Sequence, residues 1–468
     1  MTRIVIVGAG ISGLSTAFAI ELLASQAGLE VETQVVEKLD RTGGKIHSIK
    51  DQGYICEWGP NGFLDSKPMT LELCDRLKID GQLLRSNDNA RKRFIYSEKM
   101  LHRLPENGPS FLKSPLISWP GKMRLAYEML VPKRTDGVDE TLADFGRRRL
   151  GAEALNKLIA PMVSGIFAGD PETMSVKSCF PKIYSLEQEH GGLIKAMIKL
   201  AKQKRAEVKE GKVVASAAGP GGILTSFNEG IQELSDGTEK ALAKEVRTEA
   251  TVQKIEKKEG GYLLHLEDGG QLEADMVVSA APAYAAAAML DGLDNDAAEL
   301  LRGIPYATMN VVCFGYQLDK INYDLNGFGY LNAKSEGCNT LGTLWDSSIF
   351  PNRAPEGHAL LRSMMGGGTN PGAIELSEDE VKAKTMDDLK LIMGIDVEPD
   401  FVRIFRHRKA IPQYVVGHGQ RLQKLDELME QHPGLFLTGN AFGGVGLNDC
   451  VHSSNLVAEK VIEALKAR

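Results

Sequence analysis

"MTRIVIVGAGISGLSTAFAI", residues 1–20, decides how the chain is read. One basic residue ahead of an apolar run matches an export signal; the same letters match a buried strand turning into a helix around a nucleotide. A signal would need a cleavage site and then an independent mature domain. Instead Ile4–Val7 is a β-branched run of the kind buried on both faces of a parallel sheet. It passes into Gly8-Ala9-Gly10-Ile11-Ser12-Gly13 and then into the helically periodic LSTAFAIELLASQ. A second strand, VETQVVEK, brings in Glu37, 24 residues after Gly13. Strand, G-x-G-x-x-G, helix, strand and acid stand in the order of a βαβ dinucleotide unit. Gly8 allows the tight turn, Gly10 lets backbone approach a pyrophosphate, and Gly13 lets the helix pack closely on the sheet. The helix N-terminus then offers N–H groups and partial positive charge to the phosphates. Export is rejected.

The glycines that follow separate a flavin from a nicotinamide nucleotide. Arg41-Thr42-Gly43-Gly44-Lys45 comes shortly after Glu37, then YICEWGPNGF with Gly59-Pro60-Asn61-Gly62. Near the other end, GLFLTGNAFGGVGLNDCVHSSNLVAEKVIEAL reads as a short strand, a loop with Gly439, Gly443, Gly444 and Gly446, and a helix. A nicotinamide enzyme needs no second glycine cluster directly after its acid. A wholly buried flavin needs more backbone pressed against it, and glycine permits that approach. Each later cluster alone could be an ordinary surface turn. Together, at both ends of the chain, they favour one long cofactor in a discontinuous domain.

Composition sets the outer bounds. A chain of 468 residues exceeds what a single core supports, so two or three domains are expected. The net charge of −7 argues against a nucleic-acid partner. Six scattered cysteines without a C-x-x-C pair suggest neither a metal site nor a disulfide framework, and point to a reducing, cytoplasmic compartment. The longest apolar stretch, MVVSAAPAYAAAAML at 276–290, is too short to span a bilayer and reads as strand, turn and helix.

Several stretches carry a family resemblance. IVGAGISGL, EKLDRTGGKIHS and FLTGNAFGGVGLND resemble the flavin amine oxidase superfamily. Within it, RKRFIY, RRRLGAEALNKLIAPMVSGIFAGDPETMSV, TLGTLWDSSIFPNRAPEGHALLRSMMGGG and AIPQYVVGH resemble the protoporphyrinogen oxidase family of haem biosynthesis. PMVSGIFAGDP and SSIFPNRAPEG are far more specific than the nucleotide motif, and the weakest match is at 202–220. The resemblance implies one non-covalent FAD per chain and oxygen-dependent oxidation of protoporphyrinogen IX to protoporphyrin IX. That reaction removes six electrons in three flavin turnovers and releases hydrogen peroxide. It places the cofactor at Gly8, Gly10, Ile11, Ser12, Gly13, Glu37, Lys38, Gly44, Lys45, Gly59, Pro60, Asn61, Gly62, Val252, Gly439, Val445, Gly446 and Leu447. It places the porphyrinogen at Arg93, Phe328, Gly329, Leu331 and Met364, with Arg93 facing a propionate. No protein residue is assigned as catalytic, since aromatisation drives the reaction and the flavin takes the electrons; His407, His418 and His452 read as structural. No metal is expected.

The implied fold class is α/β: a discontinuous Rossmann-like FAD-binding domain (1–90, 221–298, 403–468), a helical, membrane-binding-type domain (95–205) and a mixed α+β substrate domain (299–402). Helix starts are expected at Thr141 and Gly151, and KQKRAEVKEGKVVASAAGPGG (202–222) reads as a flexible connection. SPLISWPGKMRLAYEMLVPKR sets Trp119, Met123, Tyr127 and Met129 beside Lys122, Arg124, Lys133 and Arg134. That mix suits a helix in the headgroup region, attaching the protein peripherally to the inner face of the cell membrane; a helix facing the core is the competing reading. A homodimer is left open.

Three departures and three rivals remain. His407 stands where relatives frequently carry Trp, and Lys45 where many carry Arg. Cys450 lies near the C-terminal loop, but LNDCVHSS does not match the superfamily's covalent flavin tethers. The rivals are coproporphyrinogen III oxidation, another flavin amine oxidase or desaturase chemistry, and nucleotide binding without redox turnover.

Overall fold

A computed structural model describes residues 1–209 and 222–467, which form two compact units, 1–86 with 222–305 and 420–467, and 87–209 with 306–419. Of the segment expected as a substrate domain (299–402), the first seven residues, 299–305, fall in the first unit; the rest of it and the segment expected as a helical domain (95–205) fall in the second. Residues 403–419 belong there as well, because the strand Phe401–Pro412 pairs along its length with Tyr306–Gln317.

The first unit is built on a four-stranded parallel sheet in the order Leu435–Leu437, Met276–Ser279, Thr2–Val7, Val31–Val36. Ile4, Ile6, Met276 and Val278 are fully buried, as unbroken β-branched and aliphatic runs are when both faces are covered. The helix Ile11–Ala27 follows the first strand and packs against the terminal helix Leu447–Lys466, with Leu14, Ala17, Ala458 and Val461 in the same core. The stretch 252–279 forms successive strands joined by Glu-Gly-Gly and Asp-Gly-Gly turns.

The second unit holds a seven-stranded sheet in the order Phe401–Pro412, Tyr306–Gln317, His358–Gly366, Gly342–Leu344, Gly329–Asn332, Arg93–Ser97, Met100–Arg103. One face carries Tyr96, Val312, Phe314, Tyr330, Leu361 and Met365 into a core with Val381, Leu389 and Met393 of the helix Glu378–Met393. Helices fill 108–209. Thr141 caps Leu142–Arg149 by accepting from Asp144 N, and Gly151 precedes a helical run that reaches Phe167.

Two expectations need correction here. Residues 202–209 are not a loose connection: the helix Leu193–Lys209 runs through them, as a stretch of Ala, Lys, Gln, Arg and Glu favours. The rest of that connection, 210–221, lies outside the described residues. Lys122 is not a headgroup cation, since its stem folds inward and Nζ donates to Leu112 O and Ser114 O, 2.8 Å each. The neighbouring apolar side chains do face outward: Trp119, Met123 and Leu130 are 68, 70 and 73% exposed. They are not a core-facing stripe. Among the described residues no helix is long and apolar enough to cross a membrane.

Candidate cofactor and substrate sites

Parallel register aligns the carboxyl ends of the four strands in the first unit. Val7 pairs with Val36 and Ser279, and Ser279 pairs with Leu437. Gly8, Glu37, Ala280 and Thr438-Gly439 therefore leave the sheet at one edge, where ligands bind in open α/β sheets. Gly8 has φ +102, and a Cβ there would lie 3.3 Å from the Ala280 backbone. A Cβ on Gly13 would lie 1.8 Å from Gly8 O, so only glycine lets the helix start against the turn.

The residues expected at the cofactor gather around this edge. Glu37 is buried, and its carboxylate accepts from Ala9 N at 2.7 Å and Leu39 N at 3.0 Å. Gly43 N donates to Ala9 O at 2.8 Å, which lays Gly43-Gly44 alongside the first turn, with Gly10 Cα 3.1 Å from the place of a Cβ on Gly44. Ala250 N donates to Glu37 O, bringing the start of the strand Val252–Lys258 to the acid. Lys38 is exposed.

The terminal loop closes the same region. Ser454 Oγ donates to Ser12 O at 2.8 Å, and Asn448 Nδ2 donates to Leu64 O at 2.9 Å, just past Gly59–Gly62. Burial pushes the Lys45 ammonium down to about 8, opposed by the nearby Cys450 thiol. Burial pushes the Cys450 thiol up to about 11, opposed by the Ser12 hydroxyl. Lys45, Ser12 and Cys450 thus meet where two helices begin.

Neither helix beginning has a side-chain cap: Gly10 and Gly446 are the N-caps. Helix starts leave N–H donors without intrahelical partners, and an anionic group satisfies them. A turn whose Gly10 Cβ would touch only Gly44 Cα, at 4.0 Å, leaves space in front of those donors. The residues therefore fit a pyrophosphate-bearing dinucleotide.

Two contributors escaped the sequence reading. Ala280 lies between Gly8 and Gly439, but alanine after a strand carries no distinguishing letter. Glu57 is fully buried and accepts from Ser48 Oγ at 2.6 Å and Ile231 N at 3.0 Å, fixing the strand that delivers Gly59. A lone acid inside YICEW gave no signal beyond its proximity to the glycines.

In the second unit, the expected substrate residues share the sheet face opposite the core. Arg93 pairs with Gly329, and the next outward-facing row runs Leu331, Gly342, Met364. Leu331 and Met364 are only partly buried. The helix Ala160–Phe167 approaches this face through Gly165, where a Cβ would lie 2.9 Å from Leu331 Cδ1. The Arg93 guanidinium sits 4.9 Å from the centre of the half-buried Phe328 ring. Burial pushes Arg93 down, and no carboxylate among the described residues opposes it. His407 pairs with Met309 toward the end of the same face, His418 stacks on Tyr414 at 4.3 Å, and His452 is exposed.

Comparisons with known proteins agree with this geometry. The model of the flavin containing amine oxidoreductase family matches residues 11–462. Coproporphyrinogen III oxidase of Bacillus subtilis (strain 168) is 32% identical, covering 96% of this chain and 95% of its own. The chloroplastic protoporphyrinogen oxidase of Oryza sativa subsp. japonica is 34% identical, covering 98% and 88%. Among solved structures, one from Exiguobacterium sp. 255-15, provisionally assigned as a protoporphyrinogen oxidase, superposes with TM-score 0.83 at 26% identity over 99% of both chains. A reduced UDP-galactopyranose mutase, with TM-score 0.73 at 14% identity, covers 99% and 94% and shares the fold alone.

Proposed function

Because the chain belongs to the flavin containing amine oxidoreductases and is an FAD-dependent oxidoreductase, we propose that it oxidises a porphyrinogen to its porphyrin in haem biosynthesis, with protoporphyrinogen IX the favoured substrate and oxygen the acceptor. When bound, non-covalent FAD supplies the two-electron acceptor. The protein's part is to hold it: the turn at Gly8–Gly13 and the uncapped starts at Ile11 and Leu447 take the pyrophosphate, and Glu37 takes a ribose.

The observation that carries the substrate reading is Arg93. It is a part-buried guanidinium, packed on Phe328, with no carboxylate opposing its desolvation, beside the apolar Leu331 and Met364. A macrocycle that is apolar over its faces and carries carboxylates at one edge matches that pairing. Planar guanidinium suits carboxylate bidentately. Coproporphyrinogen III, with four carboxylates, calls for more cations than this one. The exposed Trp119, Met123 and Leu130 support peripheral attachment to a membrane.

The test incubates the enzyme with each porphyrinogen in air and follows porphyrin fluorescence. Protoporphyrinogen IX is expected to give the higher kcat/KM. Arg93→Met removes a charge-assisted contact worth about 1.5–3 kcal/mol, which raises KM about 10- to 100-fold. Arg93→Lys, keeping charge without the fork, falls between. If neither porphyrinogen fluoresces above the enzyme-free rate, the substrate reading fails; if Arg93→Met leaves KM unchanged, the carboxylate contact fails.

A further inference from the structure

Three stretches singled out by their family-specific letters lie far apart in the chain, at 161–171, 363–368 and 410–418, and of them Met364 and Gly165 have been placed at the substrate face. They meet at a single turn. The helix Ala160–Phe167 ends on Ala168, buried, with φ +49 and ψ 30. A residue with a Cβ enters that left-handed region rarely, and only where its surroundings hold it there.

Two partners hold it. Gln413, itself buried, donates from Nε2 to Phe167 O at 2.8 Å and to Ile411 O at 3.1 Å. The first bond satisfies a carbonyl that the helix end leaves without an intrahelical donor. Gln413 Oε1 lies against Gly169, 3.0 Å from where a Cβ would stand. From the opposite side Gly368 N donates to Ala168 O at 2.7 Å, and a Cβ on Gly367 would come within 2.6 Å of that same oxygen. The turn is clamped between one side chain and a glycine-only strand end. Gly165, against Leu331, lies three residues before it, and Met364 three residues before Gly367.

We propose that Gln413 is a positioning residue for substrate: by tethering the Phe167–Gly169 turn it fixes how the helix Ala160–Phe167, through Gly165, stands against Leu331 on the sheet face that also carries Met364. The inference rests on the porphyrinogen reading for its kinetic consequence and on the tether alone for its structural one. Gln413→Met keeps the volume and removes the donor. Ala168→Gly relieves the left-handed conformation, so that the turn holds its shape without the tether.

The FAD-loaded enzyme is assayed for KM and kcat, and the amides of 164–171 and 364–370 are followed by hydrogen exchange. Gln413→Met is expected to raise KM roughly three- to tenfold at nearly unchanged kcat and to speed exchange at Ala168 and Gly368. Adding Ala168→Gly to Gln413→Met is expected to return both toward the wild-type values, while Ala168→Gly alone changes neither. Unchanged exchange in Gln413→Met overturns the tether whatever the substrate proves to be. Faster exchange with unchanged KM overturns its role toward substrate, as does a raised KM that Ala168→Gly does not rescue. A wild-type enzyme that oxidises no porphyrinogen strikes the function instead, and the exchange data then decide the tether alone.

Discussion

Gly10→Ala separates a cofactor cradle from an ordinary tight turn. A Cβ at Gly10 meets no protein atom closer than Gly44 Cα at 4.0 Å, and Gly10 has φ −71, a conformation alanine adopts freely. The folded protein has room for the methyl group. Its direct cost is the exchange of glycine for alanine at an N-cap, of the order of 1 kcal/mol, small against a domain's 5–15 kcal/mol, roughly. A pyrophosphate seated on the N–H groups of Ile11–Gly13 meets the new methyl head on. Pushed back by about 1.5 Å, its oxygens leave hydrogen-bond range. Losing two charge-assisted bonds at about 1.5–3 kcal/mol each weakens binding by at least a hundredfold or so. Purified Gly10→Ala is therefore expected to be folded, with the thermal transition of the flavin-free wild type, and colourless. The flavin-to-protein absorbance ratio and a titration with added FAD measure the effect. A yellow Gly10→Ala protein that binds FAD with wild-type affinity would refute the reasoning, because nothing would then occupy the space in front of the turn. Gly13→Ala is the companion: with its Cβ 1.8 Å from Gly8 O, it should lower stability even without cofactor.

Other outcomes follow from the same geometry. Gly444→Ala forces a Cβ to within 2.6 Å of Asp449 Cβ at φ +128, so flavin content and melting temperature should fall together, and a normal melting temperature would contradict this. In flavin-free protein, Lys45 titrates near 8 against 10.5 in the open chain. Below pH 8 both states hold the proton and the desolvation cost is complete. Between pH 8 and 10.5 only the unfolded state holds it, so the contribution of Lys45 to stability rises with pH, by roughly 3 kcal/mol at most. Lys45→Met should remove that rise in denaturant unfolding, and an unchanged slope would show that the ammonium is not desolvated. Exchanging Trp119 and Met123, both exposed, for glutamate should cut co-sedimentation with vesicles containing anionic lipid about tenfold or more without altering turnover of soluble substrate; unaltered sedimentation would remove the membrane role from this surface.

Local rules made much of the first unit legible. A β-branched strand, three glycines at fixed spacing and an acid after the next strand are each decided within a few residues, and here they converge at one sheet edge. What could not be read depends on contacts across long sequence distances. The parallel pairing of Arg93–Ser97 with Gly329–Asn332 puts Arg93 beside Gly329, although more than two hundred residues separate them, and neither strand's letters name its partner. Lys122 looks like a surface cation because lysine usually is one; only the folded chain brings Leu112 O and Ser114 O to its ammonium. Arg149 is fully buried between Glu128 and Glu187, and nothing in the run of three arginines it ends distinguishes it from its neighbours.

The glycine motif itself was legible in its division of roles. Spacing assigns Gly8 to the turn, Gly10 to the approach of a pyrophosphate and Gly13 to helix packing, and the distances around each show why. At Gly13 the obstacle to a side chain is the protein's own carbonyl, whereas at Gly10 a Cβ would meet only Gly44 Cα, at the unhindered distance of 4.0 Å. At the carboxyl edge of a parallel sheet, ahead of an uncapped helix start, a bound pyrophosphate accounts for a glycine that its own chain does not crowd. Gly439 and Gly444 both answer to the protein: each has a positive φ, +124 and +128, and Gly444 is also crowded by Asp449. Gly10 and Gly439 nevertheless come to the carboxyl edge of one parallel sheet from opposite ends of the sequence, where the strands Thr2–Val7 and Leu435–Leu437 flank Met276–Ser279.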